Sequence, residues 1–445
     1  MELPVLAYRN EAISEIKEKI KESEKVDKIT LKFVLFHSFE KFYKNLDREK
    51  LSTLGSHANK LLNSFPLELR KNTELIALTT SNKKIELEHR YKYKIRLFPV
   101  TFFKNIIPVE ISLPLIKEIL KVKKSEKNIW HLNTYYYLMF DIIVPILKIK
   151  KQKIIAHHRG GGFSWNPIAI PYSIFQYVLM LPILLRLVDK IIVQNKYEYN
   201  RLIRQYKINP EKIVWIPNGI NINLFKPLPE DERNKVKEEL GFEKDEFIVL
   251  YVGRIMKGKG ILKLPEIIEK LVNNYNTQRI KFFIVGDGED KERLIKMLRK
   301  KRLLDYVKFS EGYITDIHQL VRYYNTGDIL IHLNINPKFE GSPNVILEAQ
   351  ACGLPVIGFD IPGVQDSIVN GKTGFLVKRK DYESYIKKIY ILYSNQELYK
   401  EMKVNARDHI IKNFNIRNII RKYIEIYRSV ICDSDEKRSG EGRFI

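Results

Sequence analysis

Two carboxylates and a helix start stand together in Phe339-Glu340-Gly341-Ser342-Pro343-Asn344-Val345-Ile346-Leu347-Glu348. Ser342 can cap a helix by accepting a hydrogen bond from a backbone N–H one turn on, and Pro343 suits the first helical position, where its missing donor costs nothing. Gly353 can end that helix. Glu340 then lies in the preceding loop and Glu348 about one and a half turns inside the helix. Between them, free N–H groups and the positive end of the macrodipole favour a phosphate. The carboxylates can accept hydrogen bonds from sugar hydroxyls on either side. The pattern suits a nucleotide-sugar and makes Glu340, Gly341, Ser342, Pro343, Asn344, Val345 and Glu348 candidate binding residues. Taken alone, two glutamates around a capped helix are as often solvated surface.

The elements that must position these residues repeat one unit. Phe247-Ile248-Val249-Leu250-Tyr251-Val252 has the apolar run of a buried parallel strand, and it enters Gly253-Arg254-Ile255-Met256-Lys257-Gly258-Lys259-Gly260 before a helix expected near Ile261. Arg254 and Lys259 can supply two positive charges to a departing diphosphate, although a basic loop on a basic protein has the same look. A strand from Ile280 to Val285 opens into Gly286-Asp287-Gly288, and Val307-Lys308-Phe309 leads to Gly312-Tyr313. A fourth strand, Asp328 to Leu333, points into the Glu340 loop. Strand, glycine turn and helix repeated in this way build a doubly wound sheet.

On these residues the C-terminal half resembles the retaining glycosyltransferases of family 4. The match runs through Gly253-Arg254 with Lys259-Gly260, Val285-Gly286-Asp287-Gly288, Gly312-Tyr313, the Glu340 and Glu348 pair, Ala351-Cys352-Gly353-Leu354-Pro355-Val356 and Gly371-Lys372-Thr373-Gly374. The resemblance implies an α/β fold of the GT-B type, two Rossmann-like doubly wound domains facing a central cleft. It also implies that Arg254 and Lys259 hold the diphosphate, Glu348 the ribose hydroxyls and Glu340 the hydroxyls of the transferred sugar. Gly312 and Tyr313 would border the base.

The first half carries the resemblance through Ile216-Pro217-Asn218-Gly219-Ile220-Asn221, with Asn221 where the family usually has aspartate. Lys190-Ile191-Ile192-Val193-Gln194-Asn195 resembles the last strand of an acceptor domain. Ile154-Ile155-Ala156-His157-His158-Arg159-Gly160-Gly161-Gly162 resembles a central strand ending in a site loop. Strand C-terminal ends line the crevice of open α/β sheets, so His157 or His158 is a candidate contact with sugar or acceptor, beside Gly160 and Gly161. Lys32 to His37 supplies the first strand. The glycine that the family places directly after it comes only at Gly55-Ser56, a weaker acceptor-side candidate.

A chain of 445 residues suits two domains of about 200 residues each. The expected division is 1–224 for the acceptor domain and 225–412 for the donor domain, with Lys226-Pro227-Leu228-Pro229-Glu230 as a stiff connector. Ile416, Ile419, Ile420, Tyr423, Ile424 and Tyr427 fall on one helical face. In the implied fold such a helix, 413–432, crosses back to the first domain. The charged tail 433–445 is expected to be disordered. Its Asp433-Ser434-Asp435 mimics a metal-binding aspartate pair but has no apolar strand to hold it, so no metal site and no cofactor beyond the substrate nucleoside-diphosphate sugar is expected.

The formal charge is +24, yet basic residues are interspersed with acids and no nucleic-acid module is present, so a nucleic-acid partner is not expected. An anionic membrane surface fits better, since each lysine near one contributes about 1 kcal/mol. Pro167 to Val188 is nearly all apolar, but Pro171, Pro182, Gln176 and Arg186 argue against a spanning helix. Core packing is the first expectation there, and an apolar lip for a lipid-linked acceptor the second. Two cysteines, Cys352 and Cys432, make no disulfide framework, and the charged start after Met1-Glu2-Leu3-Pro4 is unlike a signal segment. A cytoplasmic protein, peripheral at the inner face of the membrane, is the expectation.

The resemblance implies retaining transfer of a hexose from a nucleoside-diphosphate sugar to an acceptor hydroxyl of a sugar or lipid-linked molecule, without metal. A non-catalytic GT-B subunit that binds sugars or partners is the alternative, and a basic nucleic-acid binder ranks third.

Overall fold

The computed structural model describes residues 30–38, 61–89, 91–104, 106, 108–159, 167, 169–275, 277–336 and 340–440. The chain divides into two compact units: Met1–Val193, Glu198–Ile216 and Ile420–Ile445 form one, Gln194–Tyr197 and Pro217–Ile419 the other. The border thus falls at Ile216, ahead of the Phe225 expected from the connector.

In the first unit, β1 (Thr30–Ser38), β2 (Thr73–Thr79), β3 (Ile85–Glu88), β4 (Lys94–Pro99), β5 (Asn128–Asn133), β6 (Lys153–His158), β7 (Lys190–Val193) and β8 (Ile213–Trp215) share one sheet. Its order is β3-β4-β2-β1-β5-β6-β7-β8. β3 pairs antiparallel with β4, and the other pairs are parallel. β8 corrects the expectation that Lys190–Val193 ends the sheet: Ile191, Ile192 and Val193 pair with Ile213, Val214 and Trp215 beyond it. Every residue of β5 is buried, as a central parallel strand covered on both faces requires.

The second unit holds β9 (Phe247–Val252), β10 (Ile280–Val285), β11 (Val307–Phe309), β12 (Ile329–His332), β13 (Val356–Phe359) and β14 (Gly374–Val377), all parallel, in the order β11-β10-β9-β12-β13-β14. The strand order reverses between β9 and β12. Doubly wound sheets bind ligands at the C-terminal ends of the strands where the order reverses. Asp328 ties the pair together by accepting hydrogen bonds from Ile248 N at 2.8 Å, Tyr399 Oη at 2.8 Å and Arg233 Nη2 at 2.6 Å. Both units are thus Rossmann-like α/β domains.

Three local expectations change. Tight turns at Lys257–Lys259 and Ile261–Lys263 precede the helix Leu264–Tyr275, so the helix starts later than Ile261. The C-terminal helix spans Ile416–Gly440, so residues 433–440, expected to be disordered, continue its backbone. The apolar segment is helical at Ile170–Phe175, widens by a turn at Gln176–Met180 and resumes at Leu181–Leu187. Its inner face packs through Leu181, Leu184 and Leu185, but Ile174, Phe175, Val178, Leu179 and Ile183 are exposed, Val178 at 66%. Core packing therefore accounts for one side of this segment only.

Candidate functional site

The turn after β9 and the loop after β12 meet at the reversal of strand order. Gly260 has φ +79° and its Cα faces the Leu333 carbonyl so closely that a Cβ would lie 2.0 Å from that oxygen. Only glycine lets the Lys259 turn press against the end of β12. Gly363, at φ +83°, similarly backs the carbonyls of Glu340 and Gly341.

Lys259 Nζ reaches Glu340 Oε1 at 2.7 Å, and Asn334 Nδ2 donates to the same oxygen at 2.6 Å. His332 Nε2 lies 3.7 Å from it. Glu340 is 8% exposed. Burial favours its neutral form, but the His332 ring, the Lys259 ammonium and the Asn334 amide together hold the carboxyl below the ordinary carboxylate range. Burial lowers the His332 imidazole, with the Glu340 carboxylate opposing and the Lys259 charge adding to the fall.

The helix that follows is Asn344–Ala351. Pro343 occupies the N-cap position and no side chain caps the end, which corrects the role expected of Ser342. The Ser342 hydroxyl instead accepts from Asn218 N at 3.1 Å, and the Ser342 carbonyl accepts from Asn218 Nδ2 at 2.6 Å. Asn195 Nδ2 donates to the carbonyls of Glu340 and Gly341, each at 3.3 Å. With Ser342 engaged elsewhere, the first N–H groups of the helix have no side-chain cap and can meet an anion. Asn344 Oδ1 at this end is buried with no hydrogen-bond partner among the described residues. Glu348 is buried inside the helix and accepts from Tyr324 Oη at 2.9 Å; burial and the Glu348 charge keep that phenol protonated.

Gly253 N donates to Val285 O at 3.0 Å, tying the end of β9 to β10, and Gly286 N donates to Ser310 Oγ at 3.0 Å, tying β10 to the end of β11. Arg254 is exposed and pairs with no carboxylate among the described residues. Gly312 and the exposed Tyr313 follow β11 at the sheet edge, farther from the reversal. The sequence candidates Gly253, Arg254, Lys259, Glu340 and Glu348 thus gather on the loops and helix around β9 and β12. Sequence reasoning missed Asn195, Asn218, Asn334, His332 and Tyr324. Asn218 was visible within the Pro217-Asn218-Gly219 turn, whereas nothing local marked Tyr324.

In the first unit, strand alternation puts His157 and His158 on opposite faces of the sheet. His157 Nδ1 lies 2.9 Å from His131 Nε2, and His131 Nδ1 lies 2.8 Å from Tyr427 Oη. His158 stacks on Tyr135 and meets Tyr136 edge-on. On that side Glu198 accepts from Tyr135, Tyr136 and Arg201. Gly55, Ser56, Gly160 and Gly161 lie outside the described residues.

A cation and two carboxylates beside an uncapped helix start at a strand-order reversal can hold a diphosphate and orient polyols. Comparison with known proteins gives the family. Residues 232–409 match the model of Glycosyl transferases group 1, and residues 69–224 that of Glycosyltransferase Family 4. The chain belongs to glycosyltransferase family 4. A family relative, the UDP-Gal:alpha-D-GlcNAc-diphosphoundecaprenol alpha-1,3-galactosyltransferase of Escherichia coli, is 30% identical over 237 residues, 52% of this chain and 58% of that enzyme. The capsular polysaccharide biosynthesis glycosyltransferase CapM of Staphylococcus aureus is 27% identical over 226 residues, 49% of this chain and 55% of CapM. The matches thus span little more than half the length of these two relatives. Among solved structures, Anabaena HepE in complex with UDP superposes with a TM-score of 0.67 at 17% identity, over 90% of this chain and 100% of HepE. That likeness is one of fold, and the fold of this family 4 chain is GT-B.

Proposed function

We propose that this protein transfers a hexose from a nucleoside-diphosphate sugar to an acceptor hydroxyl with retention of anomeric configuration. The observation that carries the reading is the Lys259–Glu340 pair at the strand-order reversal, directly before the uncapped start of Asn344–Ala351. A uridine donor is favoured, because the E. coli relative is named for UDP-Gal and HepE was also solved with UDP-glucose. Glu348 takes the ribose and Glu340 the sugar hydroxyls, while Gly312 and Tyr313 border the base. Arg254, Lys259 and the helix N-terminus, rather than a bound cation, offset the charge on the leaving diphosphate. Departure and attack occur on one face of the sugar: the C1–O bond to the diphosphate breaks, the acceptor oxygen bonds to C1, and the departing phosphate oxygen takes the acceptor proton. His157, at the end of β6, contacts the sugar or acceptor.

The acceptor is lipid-linked and the protein works inside the cell, against the inner face of an anionic membrane. The exposed face of Ile170–Leu187 supports this second element. Arg186 is the only charged side chain in that segment. The neighbouring stretch Lys148, Lys150 and Lys151 adds positive charge beside Ile149, itself 70% exposed. Apolar side chains among cations suit the interface of an anionic bilayer.

The test is turnover of UDP-glucose and UDP-galactose with a polyprenyl-diphosphate sugar as acceptor, with the product anomer read by NMR. An α-linked product from an α-linked donor supports the proposal. An inverted product removes the mechanism, and an absence of turnover with every donor shifts weight to a non-catalytic subunit.

A further inference from the structure

His131 is a histidine in the middle of an apolar strand, wholly buried, and the transfer proposed above gives it no role. It pairs in register with Ile155 of β6, two residues before the pair formed by Asn133 and His157. Alternation therefore places His131 and His157 on the same face of the sheet. That face is covered by the C-terminal helix, which brings Tyr423 and Tyr427 against them. His131 also stacks on Phe33 with ring centroids 4.3 Å apart.

The three polar groups form one line: Tyr427 Oη, His131 Nδ1 at 2.8 Å, then His131 Nε2 and His157 Nδ1 at 2.9 Å. Burial, with the Arg159 charge adding to it, lowers the His131 imidazole to about 3, so the ring is neutral and carries one proton. Burial also keeps the Tyr427 phenol protonated. Two proton arrangements remain. If His131 donates to Tyr427, the phenol hydrogen must find a second acceptor, and Tyr427 has none among the described residues. If Tyr427 donates to His131 Nδ1, the imidazole proton lies on Nε2 and is donated to His157 Nδ1. Every hydrogen from Tyr427 to His157 Nδ1 is then used, a buried unsatisfied hydroxyl is avoided, and the remaining proton lies on the buried His157 Nε2.

We infer that Tyr427, acting through His131, is a positioning residue that fixes His157 as the tautomer protonated on Nε2. His157 then presents an N–H donor, not an acceptor, at the C-terminal end of β6. Resting on the proposed transfer, this makes the role of His157 a bond to a sugar or acceptor oxygen lone pair and denies it the part of a base that takes the acceptor proton. It also makes the C-terminal helix part of the machinery that sets the site's protonation.

The experiment is long-range 1H–15N correlation of the imidazole nitrogens at neutral pH in the full chain labelled with 15N-histidine, with His157 and His131 assigned from His157→Gln and His131→Gln. It needs no donor or acceptor, so it reads the relay even if the proposed activity fails. The expected result is Nε2–H on both rings. In Tyr427→Phe, which keeps the aromatic packing and removes the hydroxyl, His157 should lose its single tautomer and show signals of both. A His157 protonated on Nδ1, or an imidazolium, in the unaltered protein overturns the inference. An unchanged tautomer in Tyr427→Phe overturns the role of Tyr427. Should that variant misfold, the spectrum of the unaltered protein still decides the proton's place.

Discussion

Lys259 Nζ stands 2.7 Å from Glu340 Oε1, so a cation assigned to the donor's diphosphate and a carboxylate assigned to its sugar form one ion pair. Lys259 is 37% exposed and Glu340 8%, which makes the lysine the mobile partner. Lys259 can turn to a diphosphate while Asn334 keeps its bond to the same Glu340 oxygen.

Lys259→Ala is expected to lower kcat/KM for transfer by about a hundredfold or more, the few kcal/mol of a charge-assisted bond that strengthens as the diphosphate leaves. Steady-state kinetics check this. Unchanged kinetics remove Lys259 from the site.

Glu348→Ala is expected to weaken donor binding first, on the order of 1–3 kcal/mol for a lost buried hydrogen bond and an orphaned Tyr324 hydroxyl. Glu348→Gln retains an acceptor for Tyr324 Oη and should lose less. Calorimetric titration with the nucleoside diphosphate distinguishes them, and equal affinity in all three proteins would place the ribose elsewhere.

Asp328 anchors β9 to β12 and so holds the crevice. Burial would raise its carboxyl, but Arg233 and Lys237, with the Ile248 N–H and the Tyr399 hydroxyl, hold it below the usual value. A depressed folded pKa means that its stabilisation is full above about pH 4 and is lost as pH falls through the folded value. Asp328→Asn should cost about 3–5 kcal/mol at neutral pH by leaving Arg233 and Lys237 buried and poorly paired. It should also flatten the acid limb of the stability curve. Urea melts across pH measure both.

Phe175→Ser with Leu179→Ser should abolish co-sedimentation with anionic vesicles while leaving donor affinity and stability within about 0.5 kcal/mol, since both side chains are already exposed. Retained sedimentation would move the membrane contact to another surface.

The donor half was largely legible. Phe247–Val252, Ile280–Val285 and Val307–Phe309 are strands with the very bounds read from their apolar runs, because buried parallel strands need no alternation. Glu340, Glu348 and Lys259 were readable because glycine turns and a proline mark the loops that carry them. What was hidden depends on partners distant in the chain. Ser342 has the local chemistry of a cap, but the Asn218 amide claims its oxygen from 124 residues away. The tyrosine that meets His131 is 296 residues removed. Composition likewise gave an apolar helix at 170–187 but not which side of it is covered.

The most direct measurement is ligand-observed NMR with UDP-, GDP- and ADP-sugars against the native protein and Glu348→Ala, following slow donor hydrolysis without acceptor. The predicted result is selective binding of the UDP-sugars with slow release of free sugar, both lost or strongly weakened in the variant. Binding of no donor, or binding indifferent to Glu348, would contradict a nucleotide-sugar site at the reversal between β9 and β12.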